Sequence, residues 1–354
     1  MKKRIFVSLL SLCLIVGLLP MSVLAAEAKA PDNETPVVCT MNESCEAQSH
    51  NNDCPLYMYT VTGDIPSNDI EEQPTELTAA LPDPSDIEPL DKEQMETITD
   101  NSQTISTDTT WDAETTLSKN LIVESGATLT IGAKVTISGN VVISGGGTIK
   151  RGTNYTTEII SVPAGAELTL ENITVDGNED VFSTDAAIVV AGKLFLNAGA
   201  IIQKNNNIST SSDTRGGGIR SVSESEIKID GAVIQNNSAD SSNGGGLTVY
   251  GTLNFLSGTI KSNNAKYAGA IYIGGTGNVV LEKDSKIEEN YSTTNAAAIS
   301  AYTGAILTVN GAYIAKNESK GPGGAIFASS DTTIQINDCI IQENIAENGS
   351  AFYG

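Results

Sequence analysis

The residues that could do chemistry are few and scattered. The only histidine, His50, sits in the run Cys39-x5-Cys45-x8-Cys54-Pro55, which offers three thiols and one imidazole. Three Cys and one His can ligate zinc, but structural zinc sites use a short paired C-x2-C spacing that this run does not have. In an exported chain such thiols oxidise instead, and three of them cannot all pair among themselves, which leaves one for an intermolecular disulfide. Asp176, Glu179 and Asp180 make a loose acidic group, and Asp284 stands alone among turn formers. Cys339 falls in a column of small apolar residues, where a thiol acts as a packing group rather than a redox centre. No residue set here implies a metal or another cofactor.

The elements that would have to position these residues divide the chain in three. Residues 1–26 read as an export signal: Lys2, Lys3 and Arg4, an apolar core from Ile5 to Leu19, then small residues ending at Ala26. No later stretch approaches the roughly 20 apolar residues that span a bilayer. Residues 27–103 are acidic and Pro-rich, with eight of the 11 prolines between Pro31 and Pro89. Such a segment cannot bury enough apolar surface to order itself and is expected to be a disordered stalk. The remainder, 104–354, holds almost all of the 33 glycines. The net charge of -23 excludes a nucleic-acid partner, because no basic patch is set apart from the acidic residues.

The third region is a repeat. A branched apolar residue followed three positions later by Asn recurs, ending at Asn178, Asn205, Asn237, Asn263, Asn290, Asn317 and Asn344. The steps are close to 27 residues, with one of 32. Three residues before each apolar position stands a turn former, such as Gly199, Gly231, Gly311 and Asp338; two residues before it stands a mostly small one, such as Ala200, Ala232, Ser285, Ala312 and Cys339. Each Asn is followed by a polar loop and then a run of small residues, as in Gly245-Gly246-Leu247 and Gly269-Ala270-Ile271.

Three short strands per repeat, with corners too tight for a helix, predict an all-β solenoid: a right-handed parallel β-helix with coils of about 27 residues. Each strand pairs with its equivalent one coil away, at about 4.8 Å. The asparagines form a ladder at one corner, where Asn tolerates a left-handed backbone. The outward column Ser262, Glu289, Lys316, Glu343 alternates in sign and is expected to form surface ion pairs. Residues 104–148 supply an N-terminal cap containing Trp111 and the first short coils. The last residues, Gly349 to Gly354, match the opening strand of a further coil, so the chain is expected to stop in mid-coil.

Gly323-Gly324-Ala325-Ile326-Phe327, Gly269-Ala270-Ile271-Tyr272 and the Ile-x-x-Asn motifs resemble the GGAI and FxxN repeats of chlamydial polymorphic outer membrane proteins and related adhesins, within the pectin-lyase-like superfamily. The Cys39 to Cys54 element is similar to one found after the signal peptide in surface proteins of Gram-positive gut bacteria. The resemblance implies a secreted or cell-surface protein that binds a polysaccharide or a host or bacterial surface ligand. The alternative it implies is an extracellular polysaccharide lyase or hydrolase. A polygalacturonase-like site needs paired aspartates and a Gly-His-Gly element, yet His50 lies outside the solenoid. A pectate-lyase-like site needs calcium-binding aspartates beside a base, and nothing marks a base near Asp176. The non-catalytic reading therefore leads. Its candidate contact surface is the loop after Asn205, about five residues longer than its counterparts and containing Asn207 and Arg215, because insertions in solenoids gather on the binding face.

Overall fold

Ile188 pairs in parallel register with Ile160 on one side and Ile219 on the other, and the column continues through Leu247, Ile271, Ile299 and Ile326. That column defines the architecture in the computed structural model, which describes residues 102–211 and 215–354. The export signal, the acidic stalk and the Cys39, Cys45, Cys54 and His50 element lie outside the described residues. Within them the chain is a parallel β-solenoid of 17-, 10- and 6-stranded sheets, each strand paired with its counterpart one coil away. The largest sheet takes two strands from most coils, one on each side of a tight corner.

One coil illustrates the plan. Ile188–Val190 belongs to the ten-stranded sheet, Lys193–Leu196 and Ala200–Gln203 to the largest, and Asn206–Asn207 to the six-stranded one. The strands form because their residues alternate with period two, so that one set fills the tube and the other faces out. The repeated Ile and Val positions, from Ile149 and Val175 to Ile314, are essentially fully buried. Ala200, Ala232, Ser285 and Ala312 are buried with them, and Cys339 joins the same core. A thin tube needs these small side chains where large ones crowd from the opposite wall.

Four features differ from the sequence reading. The polar run after each Asn from Asn178 to Asn317 is a fourth strand, as in Asn264–Tyr267 and Tyr291–Asn295, because that segment pairs along the stack like the others. Three corners are not sharp turns: Glu226–Gln235, Thr252–Lys261 and Asn278–Glu288 run on as single strands with bulges, which places exposed Asp284 in a strand. The segment around Trp111 does not lie across the end as a cap. Ser102–Ile105, Thr109–Trp111 and Thr115–Leu117 build the first coil and pair in parallel with the second.

The fourth difference concerns the ladder. The left-handed residue is the one before the Asn: Lys204, Asn236, Ser262, Glu289, Lys316 and Glu343 have φ of 53 to 58°. The alternating-sign column occupies this corner, and among the described residues no ion pair joins its members. The asparagines turn inward. The Oδ1 of Asn237 accepts the backbone N–H of Asn205 at 3.1 Å, and the same bond recurs from Asn237 to Asn263, Asn263 to Asn290, Asn290 to Asn317 and Asn317 to Asn344 at 3.0 Å. From Asn237 to Asn344 each Nδ2 in turn donates to an Ile carbonyl of the preceding coil, as from Asn290 to Ile260. A buried amide must satisfy all its polar atoms, and this arrangement does so.

Asn178 stands outside the row. It takes the left-handed conformation itself, with φ 60°, and its Nδ2 donates to the Arg151 carbonyl. Its place at the head of the row is filled by Arg151, which has no exposed surface. Nε donates to Gly177 O at 3.0 Å, Nη1 to Thr157 O, and Nη2 to Asn205 Oδ1 at 2.6 Å.

Candidate functional site

The outer face of the ten-stranded sheet carries a continuous strip of rings. Tyr250, Tyr272, Tyr302, Phe327 and Tyr353 come from five successive coils, and their centroids are 6.5, 5.0, 5.7 and 6.0 Å apart. Strand geometry places them. Thr248, Tyr272, Ser300, Phe327 and Tyr353 form one outward column, one position after the buried apolar residue. Two positions further on, Tyr250, Gly274, Tyr302 and Ser329 form the next outward column. Where one column carries a ring the other carries Thr, Gly or Ser, so the rings fit between the columns. At Gly274 a Cβ would come within 2.6 Å of the Tyr250 ring and 2.9 Å of the Tyr272 ring, so only glycine leaves the space both rings occupy.

A second row fixes the phenols. It lies four positions before the buried apolar residue and runs Arg215, Asn243, Tyr267, Asn295. Arg215 Nη1 donates to the Tyr250 hydroxyl at 3.0 Å, and Asn295 Nδ2 donates to the Tyr302 hydroxyl at 3.1 Å. Asn243, a member of the row between them, comes from the coil of Tyr250. Arg215 also lies over the Tyr272 ring, 5.9 Å from its centroid. That cover, with the neighbouring rings, leaves Tyr272 only 7% exposed, while Tyr250, Tyr302 and Phe327 are half-buried and Tyr353 is exposed. Burial pushes the Tyr272 phenol up to about 12 and raises that of Tyr302 as well. The result is an apolar platform with pinned polar edges and one guanidinium on its surface. Such a surface can bind a ligand with an apolar face and hydroxyl edges, because rings held in place lose little entropy on contact.

The structure separates the two residues singled out in the long loop. Arg215 belongs to the platform. Asn207 is fully buried and its Nδ2 donates to Gly216 O at 2.8 Å, so it anchors the loop from inside and offers no contact surface. The seven asparagines are structural, six in the row and Asn178 beside it. The loose acidic group is taken up locally: Asp176 accepts from the Asn178 backbone and from Gln203 Nε2, and Glu179 pairs with Lys204 at 3.0 Å. A separate cleft of about 280 Å³ lies at the corner lined by Asn140, Glu167, Lys193, Glu224 and Glu226, where Lys193 and Glu226 pair at 3.2 Å.

The sequence reading missed the platform because it registered the repeats on the inward Ile. The signal is present one and three positions beyond the apolar residue that follows the small-residue run, in Val249-Tyr250, Ile271-Tyr272, Ala301-Tyr302, Ile326-Phe327 and Phe352-Tyr353. It is split between two columns, so neither column alone looks aromatic. No protein-family model matches the chain, and comparison with curated proteins and with solved structures gives no significant match.

Proposed function

We propose that this chain is an exported, non-catalytic binding protein of the adhesin type, whose solenoid presents a ligand-binding face at or beyond the bacterial surface. In this reading the coils are right-handed and belong with the pectin-lyase-like β-helices, a reading supported by the resemblance of the GGAI-like and Ile-x-x-Asn repeats to those of polymorphic outer membrane adhesins. The observation that carries the reading is the platform: five rings from successive coils, with two phenols held by Arg215 and Asn295. A packing role alone calls for rings inside the tube, yet these lie on its outer wall and run from buried Tyr272 to exposed Tyr353. The export signal supports a location outside the cell. The target is a glycan, because a pyranose presents an apolar C–H face to rings and hydroxyls to the amides and phenols at the edge.

The purified chain, incubated with neutral and acidic polysaccharides, is expected to be retained on at least one of them without shortening it. Tyr302→Ala is expected to weaken retention about tenfold while the melting transition stays in place. Progressive loss of polymer length would instead establish the lyase or hydrolase alternative.

A further inference from the structure

Among the described residues Arg215 is the one cation in contact with rings of the strip, and it is held there from two directions, by the Tyr250 hydroxyl at 3.0 Å and by the Tyr272 ring. No ion pair among the described residues includes it. The charged and titratable groups that act on the buried phenols of Tyr272 and Tyr302 are Arg215 and neighbouring tyrosines. A guanidinium in this setting keeps donors free, because Arg carries five N–H groups and only Nη1 is bonded to the platform. Its planar fork suits a carboxylate or a sulfate.

Resting on the binding function proposed above, we infer that the platform reads a glycan of mostly uncharged sugars that carries one anionic group, with the anion on Arg215 and the uncharged sugars on Tyr302, Phe327 and Tyr353. The ratio of groups points this way: one guanidinium stands at the head of a strip in which the following rings come from three further coils. The step between rings, 5.0 to 6.0 Å from Tyr272 to Tyr353, is close to the length of one pyranose in an extended chain. A polyanion is disfavoured by the remaining charge. Residues 117–354 carry 22 acidic and 15 basic side chains, and a ligand with an acid on every sugar meets that net negative field along its length. A single anion on Arg215 is screened from most of it, since the Debye length is about 8 Å at physiological ionic strength.

The test is calorimetric titration of the full chain with sialyl-lactose, its carboxyl methyl ester, lactose, lactose bearing one sulfate, and polygalacturonate. Sialyl-lactose is expected to bind at least tenfold more tightly than its ester and than lactose, and polygalacturonate more weakly than either acidic oligosaccharide. Comparing the sulfated with the sialylated sugar tells which anion Arg215 prefers. In Arg215→Gln the ratio of sialyl-lactose to lactose affinity should fall to about one, whatever the variant does to the affinity for lactose itself. If lactose and sialyl-lactose bind alike, or polygalacturonate binds best, this inference fails and the platform reading stands. If no sugar binds and Tyr302→Ala changes nothing in the polysaccharide retention assay, both fail.

Discussion

The guanidinium of Arg151 donates to Oδ1 of Asn205 at 2.6 Å and so closes the end of the asparagine row that faces the first coils. Burial lowers its pKa to about 10, which still leaves it charged at neutral pH. Its partners are carbonyl and amide oxygens of Gly177, Thr157 and Asn205, from three different stretches of chain. One side chain therefore ties the first coils to those with an asparagine row.

Arg151→Met keeps the length of the side chain but leaves those oxygens buried without donors. An unpaired buried acceptor costs about 1–3 kcal/mol, so a loss of roughly 2–4 kcal/mol in the stability of the adjoining coils is expected. Arg151→Lys should lose less, since it retains the charge and part of the bonding. Chemical denaturation of the three proteins measures both losses, and a Met variant as stable as the parent would show that water replaces the guanidinium.

Asn290 sits in the middle of the row. Its Oδ1 accepts the backbone and amide N–H of Asn263, and its Nδ2 donates to Asn317 Oδ1 and Ile260 O. Asn290→Asp replaces the donor with a second acceptor that faces those oxygens and introduces a buried charge. It should destabilise by several kcal/mol at neutral pH and by less in acid, where the carboxyl is protonated and can donate. Thermal melts at two pH values check the direction. Asn290→Ala should be the milder change at neutral pH.

Ile314 has no exposed surface and pairs with Ile287 and Ile341 in the inward column. Ile314→Asp places a carboxylate in the apolar tube and should cost several kcal/mol and abolish the cooperative melt. Calorimetry reads the result, and an unchanged transition would move Ile314 off the core.

Gly274→Ala tests the platform without touching the core. The added methyl meets ring atoms of Tyr250 and Tyr272, which can swing outward. Stability is expected to change by less than about 1 kcal/mol, while glycan retention falls several-fold. Parallel melting and retention assays separate the two effects.

Alkaline pH acts on the same rings. The Tyr272 phenol titrates near 10 in the unfolded chain and near 12 in the fold. Its contribution to stability is thus present below pH 10 and lost as pH rises from about 10 to 12. Arg151 acts in the opposite sense over much of that window, because its folded value is the lower one. The comparison that isolates the tyrosine is therefore between the parent and Tyr272→Phe, and the Phe variant should lose less stability between about pH 9 and 11. Tyrosinate absorbance of the parent should also show a late-titrating component.

The solenoid was legible because each of its determinants repeats. Ile202, Ile234, Ile260 and their equivalents recur at near-constant spacing with small residues such as Ala200 and Ala232 two places earlier, and parallel stacking is what keeps such columns aligned. What did not repeat was not read. Arg151 appears once, one residue before the Gly that takes the place of the repeated Asn, and its meaning depends on Asn205, 54 residues away. The left-handed corner was assigned to the Asn because Asn is the residue that most often takes it, whereas here the amide is needed inside and the preceding residue, a Lys, Ser or Glu at every step but Asn236, bears the strain. The platform was hidden by alternation between two columns. Asn207 was misjudged for the same reason as the corner: a polar residue in a long loop reads as exposed, yet its bond to Gly216 requires it to point inward.

The amides of the row all point the same way. Every Oδ1 from Asn237 to Asn344 faces the coil before it, and Nδ2 of Asn237, Asn263, Asn290 and Asn317 donates towards the coil after it. Their dipoles therefore add along the axis, as peptide dipoles do in a helix, and the negative end of the sum lies at Asn205. Arg151 stands there as a cation does at a helix C-terminus. The positive end lies at Asn344, so the solenoid has an electrical as well as a chain direction.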